Sequence, residues 1–109
     1  MTYEELQNHE SFRIVADIAD GKVPIAIVGD QTWHEAFCGD VTFRAWEYLV
    51  TFFNDCDGLD YVDNIREGDR EVFDYMAFDG KDPLNLLTGE QCKSLNRIVK
   101  AAAIEGKAR

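Results

Sequence analysis

Val41 to Phe53 read VTFRAWEYLVTFF. Val41, Phe43 and Ala45 alternate with Thr42 and Arg44, the period of a strand with one buried face. Thirteen residues are long for one strand, since strands usually run about 5–6. The stretch therefore reads as a hairpin with its turn near Trp46-Glu47 and a second strand from Tyr48 to Phe53. The turn chemistry is poor, because neither residue readily takes positive φ.

Working outward, Asn54 to Gly58 reads as a polar loop. Leu59 to Ile65 (LDYVDNI) alternates again, and Glu67-Gly68-Asp69 is a turn signal. Upstream, Ile25 to Val28 and Trp33 to Cys38 read as two more short strands, closed by Gly29-Asp30 and Gly39-Asp40. Downstream, Val72, Tyr75 and Met76 lie at helical spacing, so Val72 to Phe78 is expected to be a short helix. Pro83 suits the first position of a further helical turn. Thr2 with Glu5, and Thr88 with Gln91, have the form of capping boxes. The first predicts a helix from Tyr3 that carries Leu6, Ile14, Val15 and Ile18 on one face and ends by Gly21 and Pro24. The second predicts a C-terminal helix with Leu95, Ile98, Val99 and Ala102 as its apolar stripe.

Strands that are neighbours in sequence usually pair. The expected fold class is thus α+β: an N-terminal helix, an antiparallel meander of three to five short strands, and C-terminal helices packed on one face. The 109 residues, 46% of them hydrophobic, fit a single domain spanning 1–109. No apolar run reaches the length of a membrane helix. The N-terminus MTYEELQNHE has neither the basic nor the apolar region of a signal peptide, which makes a cytoplasmic location the expectation.

The net charge is −10, and its distribution is uneven. Residues 1–53 sum to −6, residues 54–82 to −7 and residues 83–109 to +3. A field of this sign disfavours nucleic acid, which needs a basic footprint, and steers a basic partner toward the middle segment. Lys93, Arg97 and Lys100 suit the C-terminal half of the last helix, where the macrodipole favours cations.

Several pieces of the chain occur together: Trp33-His34-Glu35, Cys38-Gly39, the run from Thr51 to Asp57, Leu59-Asp60-Tyr61, Phe73-Asp74, Asp82-Pro83 and Leu86-Leu87. In these, Trp33 to Leu87 resembles a small domain family of unknown function found mainly in pseudomonads. The likeness covers about half of the chain, and Thr51 to Tyr61 is its most specific part. Relatives tend to have an Asp-Gly turn where this chain has Trp46-Glu47. The resemblance implies the fold and a bacterial origin. It implies no activity.

Among chemistry-bearing residues, Asn54, Asp55, Asp57, Asp60 and Asp63 offer hard oxygens within ten positions. Calcium takes six to eight oxygens, so a divalent-metal domain built on 54–63 is the alternative reading. The loop departs from an EF-hand, since Phe53 falls at the first ligand position and Asn64 at the last. His34, Glu35 and Cys38 raise a hydrolase or zinc site, yet on a strand His34 and Cys38 would lie about 13 Å apart. Cys38, Cys56 and Cys92 show no ligand or disulfide spacing and read as reduced, semi-buried thiols. His9 reads as a surface residue of an acidic helix. No P-loop, HExxH, GxSxG or GxGxxG is present, so no catalytic residue, metal or cofactor is assigned.

What remains is a non-catalytic acidic protein-binding module. Its expected contact residues are Trp46, Tyr48, Asp55, Asp57, Asp60, Tyr61, Asp63, Glu67 and Asp69, aromatic anchors among carboxylates facing a protein with a basic surface. An immunity protein, an antitoxin or an inhibitor that mimics nucleic acid has this character.

Overall fold

The hairpin at 41–53 forms as its alternation requires. In the computed structural model, which describes residues 2–106, strands β2 (Gly39–Ala45) and β3 (Tyr48–Asp55) pair antiparallel from Gly39↔Asn54 to Ala45↔Tyr48. Val41, Phe43 and Ala45 point inward with Tyr48, Val50 and Phe52, all buried. Trp46-Glu47 is indeed the turn, and Trp46 takes φ 55° to make it.

The meander has five strands in the order β1-β2-β3-β4-β5. β1 is Ala26–Val28, β4 is Gly58–Glu67 and β5 is Arg70–Asp74. Ile104 bridges to Ile27 in parallel, so the chain after the last helix covers the β1 edge and removes an open pairing edge. Two helices open the chain, α1 (Tyr3–Gln7) and α2 (Glu10–Ala19), and α4 (Gly89–Ala101) closes it after a 3-10 turn at Pro83–Leu86. Leu6, Ile14, Val15, Ile18, Leu95 and Val99 join the strand residues in one core. Helices thus lie over one face of the sheet, and the other face is open.

Both capping boxes are made, at Thr2/Glu5 and Thr88/Gln91. The N-terminal helix is nevertheless broken in two. His9 sits in extended conformation as the cap of α2, its Nδ1 accepting from the Ser11 N–H at 3.1 Å. His9 also packs edge-on against Phe78, so it is part of the framework rather than a bare surface residue.

Three local expectations are corrected. Trp33 to Cys38 is not a strand: Trp33–Ala36 is a short helix, α3, held by a third capping box in which the Thr32 hydroxyl accepts from the Glu35 N–H and Glu35 returns the bond. Val72 to Phe78 is not a helix. A turn at Gly68, φ 60°, folds Arg70–Asp74 back on β4, and a register shift between Ile65 and Arg66 leaves Val72 as the extra residue. Val72 and Phe73 are then both buried, whereas Tyr75 stacks on Tyr61 and Met76 is exposed, so the 72/75/76 spacing marks no common face. Finally, Asn54 to Gly58 is not a loop. β3 runs to Asp55, and only Cys56 and Asp57, at φ 51° and 78°, form the turn into β4.

Candidate functional site

The open face of the sheet is built by strand alternation. With Val41, Phe52 and Val62 inward, their neighbours Asp40, Phe53 and Tyr61 fall outward and are in register, Asp40↔Phe53↔Tyr61. The rings form a stack: Phe53 to Tyr61 at 5.2 Å and Tyr61 to Tyr75 at 4.3 Å between centroids. Gly80, at φ 71°, lies against the third ring, where a Cβ would meet the Tyr75 hydroxyl at ordinary contact distance, 3.4 Å. Beside the stack, Thr42 and Thr51 share a 2.8 Å hydrogen bond across β2 and β3.

Two β-bulges interrupt the β3–β4 pairing, and one brings a carboxylate to this stack. Thr51 pairs with Asn64 and Phe52 with Val62, so Asp63 is an extra residue. Phe53 pairs with Tyr61 and Asn54 with Leu59, so Asp60 is another. Bulges re-aim side chains in this way. Burial, then the charges of Asp63, Asp40 and Asp60, push the Tyr61 phenol upward. Partial burial, with repulsion from Asp63, also raises the Asp40 carboxyl. The face therefore concentrates negative charge around half-buried rings.

The other expected contact residues are scattered. Trp46 is 59% exposed at the β2–β3 tip. Tyr48, expected at the surface beside it, is buried: its hydroxyl donates to Glu10 at 2.8 Å. Glu67 is taken up by Arg70, which also binds Glu10. Asp69 lies in the exposed β4–β5 turn, where its carbonyl accepts from Arg66. These four are at the end of the sheet where Tyr48 pairs with Glu67. Asp55 and Asp57 are at the opposite end, in and beside the β3–β4 turn. Only Tyr61 and Asp63 of the expected set converge with the ring stack; Asp60, next to Tyr61 in the chain, borders a groove with Leu84 and Leu95. Asp40, Phe53 and Tyr75 complete the ring cluster, and the signal for the first two was the same alternation that defined the hairpin.

At the β3–β4 end a second constellation appears. Trp33 is fully buried and its Nε1 donates to the Asp57 carbonyl at 2.9 Å. Asn54, also fully buried, donates to the Trp33 carbonyl and accepts from the Asp57 N–H. His34 is not distant from every partner, as a strand would require. From α3 its Nδ1 reaches the Asp57 carboxylate at 2.7 Å. Cys38 and Cys56 are exposed rather than semi-buried, with their sulfurs 3.3 Å apart. Cys92 is half-buried, on α4. Among the described residues one potential metal-holding group occurs, Cys38, Asp55 and Cys56. His34 does not join it, and Asp55, Asp57, Asp60 and Asp63 do not gather into an oxygen cage.

Fold and site together define a two-layer α+β domain with a five-stranded meander and one bare, acidic sheet face. Residues 5–101 match a domain of unknown function, DUF7693, and the chain belongs to that family. No curated protein and no solved structure matches the chain. No helix among the described residues is long and apolar enough to cross a membrane.

Proposed function

We propose that the chain is a non-catalytic protein-binding module whose open sheet face engages a basic surface on a partner protein. The observation that carries this reading is the Phe53–Tyr61–Tyr75 stack with Asp40 and Asp63 beside it. Half-buried aromatic rings supply contact area at low entropic cost, and their carboxylate rim supplies complementarity to lysine and arginine. The net charge of −10 adds long-range attraction for such a partner. In its finer form the reading is an immunity protein, an antitoxin or an inhibitor that mimics nucleic acid, acting in the cytoplasm of a bacterium such as a pseudomonad. The calcium alternative gains no support, because the four aspartates of 54–63 do not converge.

The test is affinity capture from bacterial lysate at about 50 mM and about 300 mM salt, a span over which screening of exposed charges increases sharply. Basic proteins retained at low salt, released at high salt and missed by a Tyr61→Ala/Asp63→Asn variant are the expected result. Retention of no basic protein, or retention indifferent to the variant, overturns the reading.

A further inference from the structure

The sulfur pair at the β3–β4 end is held by a rigid frame. The segment 33–38 and the turn 54–57 are tied by Trp33 Nε1 to the Asp57 carbonyl, by Asn54 to the Trp33 carbonyl, and by the Asp57 N–H to the Phe37 carbonyl at 2.8 Å. Phe37, Cys56 and Asp57 all adopt left-handed backbone, φ 57°, 51° and 78°, a conformation costing of order 1 kcal/mol for a residue with a side chain. The frame thus holds Cys38 and Cys56 together at a backbone cost. The Cys56 N–H points at the Cys38 sulfur at 3.3 Å. The Asp55 carboxylate lies within 4.8 Å of both sulfurs.

We propose that Cys38, Cys56 and Asp55 form a binding site for a thiophilic divalent cation of the zinc class, with one coordination position left to water or to a partner's side chain. Two thiolates and one carboxylate suit a soft or borderline ion, whereas calcium and magnesium take oxygen. Zinc holds sulfur at about 2.3 Å in a tetrahedron, which places two thiolates roughly 3.7 Å apart. The present 3.3 Å needs to open by only a few tenths of an ångström, a motion exposed side chains make freely. Binding displaces both thiol protons to solvent. Affinity should therefore rise with pH through the neutral range.

The experiment uses metal-free protein kept reduced by a phosphine. Cobalt(II) is titrated first, then displaced by zinc in competition with a chromophoric chelator, and alkylation of each cysteine is read by peptide mass. A thiolate-to-cobalt charge-transfer band saturating at one ion per chain is expected, with zinc shielding Cys38 and Cys56 but not Cys92. Cys38→Ser and Cys56→Ser should each abolish the band, and Asp55→Asn should weaken binding at least about tenfold. All three side chains are exposed, so the metal-free variants should melt with the wild type. No charge-transfer band, a band that survives either serine variant, or equal alkylation of all three cysteines with and without zinc overturns the site. Unchanged affinity in Asp55→Asn overturns the role of Asp55.

Discussion

Trp46 is a large apolar residue at an exposed tip, in backbone that suits glycine. It contributes little to the core, so Trp46→Gly should leave stability unchanged or raise it by up to about 1 kcal/mol, read by denaturant unfolding. A loss above about 1 kcal/mol would show that the ring holds the hairpin. Asp82 is the opposite case, a buried carboxylate. Its Oδ1 accepts from the Leu84 N–H at 3.0 Å, and burial pushes its pKa up to about 6 from 3.8. The folded state therefore takes up a proton that the unfolded chain does not, between about pH 6 and pH 4. Stability from this group is full below its unfolded pKa and is lost as pH rises through about 6. Asp82→Asn keeps the acceptor without the charge. It should melt higher than wild type at pH 7.5, by an amount of order 2 kcal/mol, and the difference should vanish near pH 4. A pH-independent difference contradicts the assignment. Glu10 works in the reverse sense. Arg70 and then Tyr48 hold it down at about 2, so its contribution is present above about 4.5 and fades as pH falls toward 2. None of these three environments can be read from residue type alone. Asp82 before Pro83 looks in sequence like a plain turn.

Among the elements, the β2–β3 hairpin was legible because strict alternation survives poor turn chemistry. The helix at Trp33–Ala36 was misread as a strand, although the capping pair Thr32 and Glu35 carried its signal. β5 was not legible, since a bulge puts Val72 and Phe73 on the same side and erases the alternation. The same holds for Asp63, whose place beside the rings depends on a bulge that leaves no mark in the sequence. Asn54 is the joint between α3 and the sheet. Asn54→Ala removes two hydrogen bonds inside the protein and should cost about 2–3 kcal/mol. It should also release the frame that holds Cys38 against Cys56, so hydrogen exchange at the Asp57 amide should quicken more than at β1. Equal exchange at both would argue that α3 is held by Trp33 packing alone. At the ring stack, Gly80→Ala sets a Cβ against the Tyr75 ring at φ 71°. It should cost about 1 kcal/mol through backbone strain and leave the Tyr75 ring in place.

At the scale of the molecule, the two layers divide the labour. Helices and the inner strand residues make the core, and the final segment closes the β1 edge through Ile104. The outer sheet face is left with three stacked rings and an excess of carboxylates. The charge profile along the chain located this excess in 54–82, while strand pairing added Asp40 from outside it. Of the three cations of 54–82, Arg70 is paired with Glu10 and Glu67, while Arg66 is bonded to the Asp69 carbonyl and keeps its charge. The central claim is that this field and these rings bind a basic partner. Its most direct test is calorimetric titration of the captured partner into wild type and an Asp40→Asn/Asp63→Asn variant across a salt series. The account predicts that wild-type affinity falls steeply with salt, and that the variant binds about tenfold more weakly at low salt with a flatter slope. Equal affinity and equal salt dependence in the two proteins would contradict it.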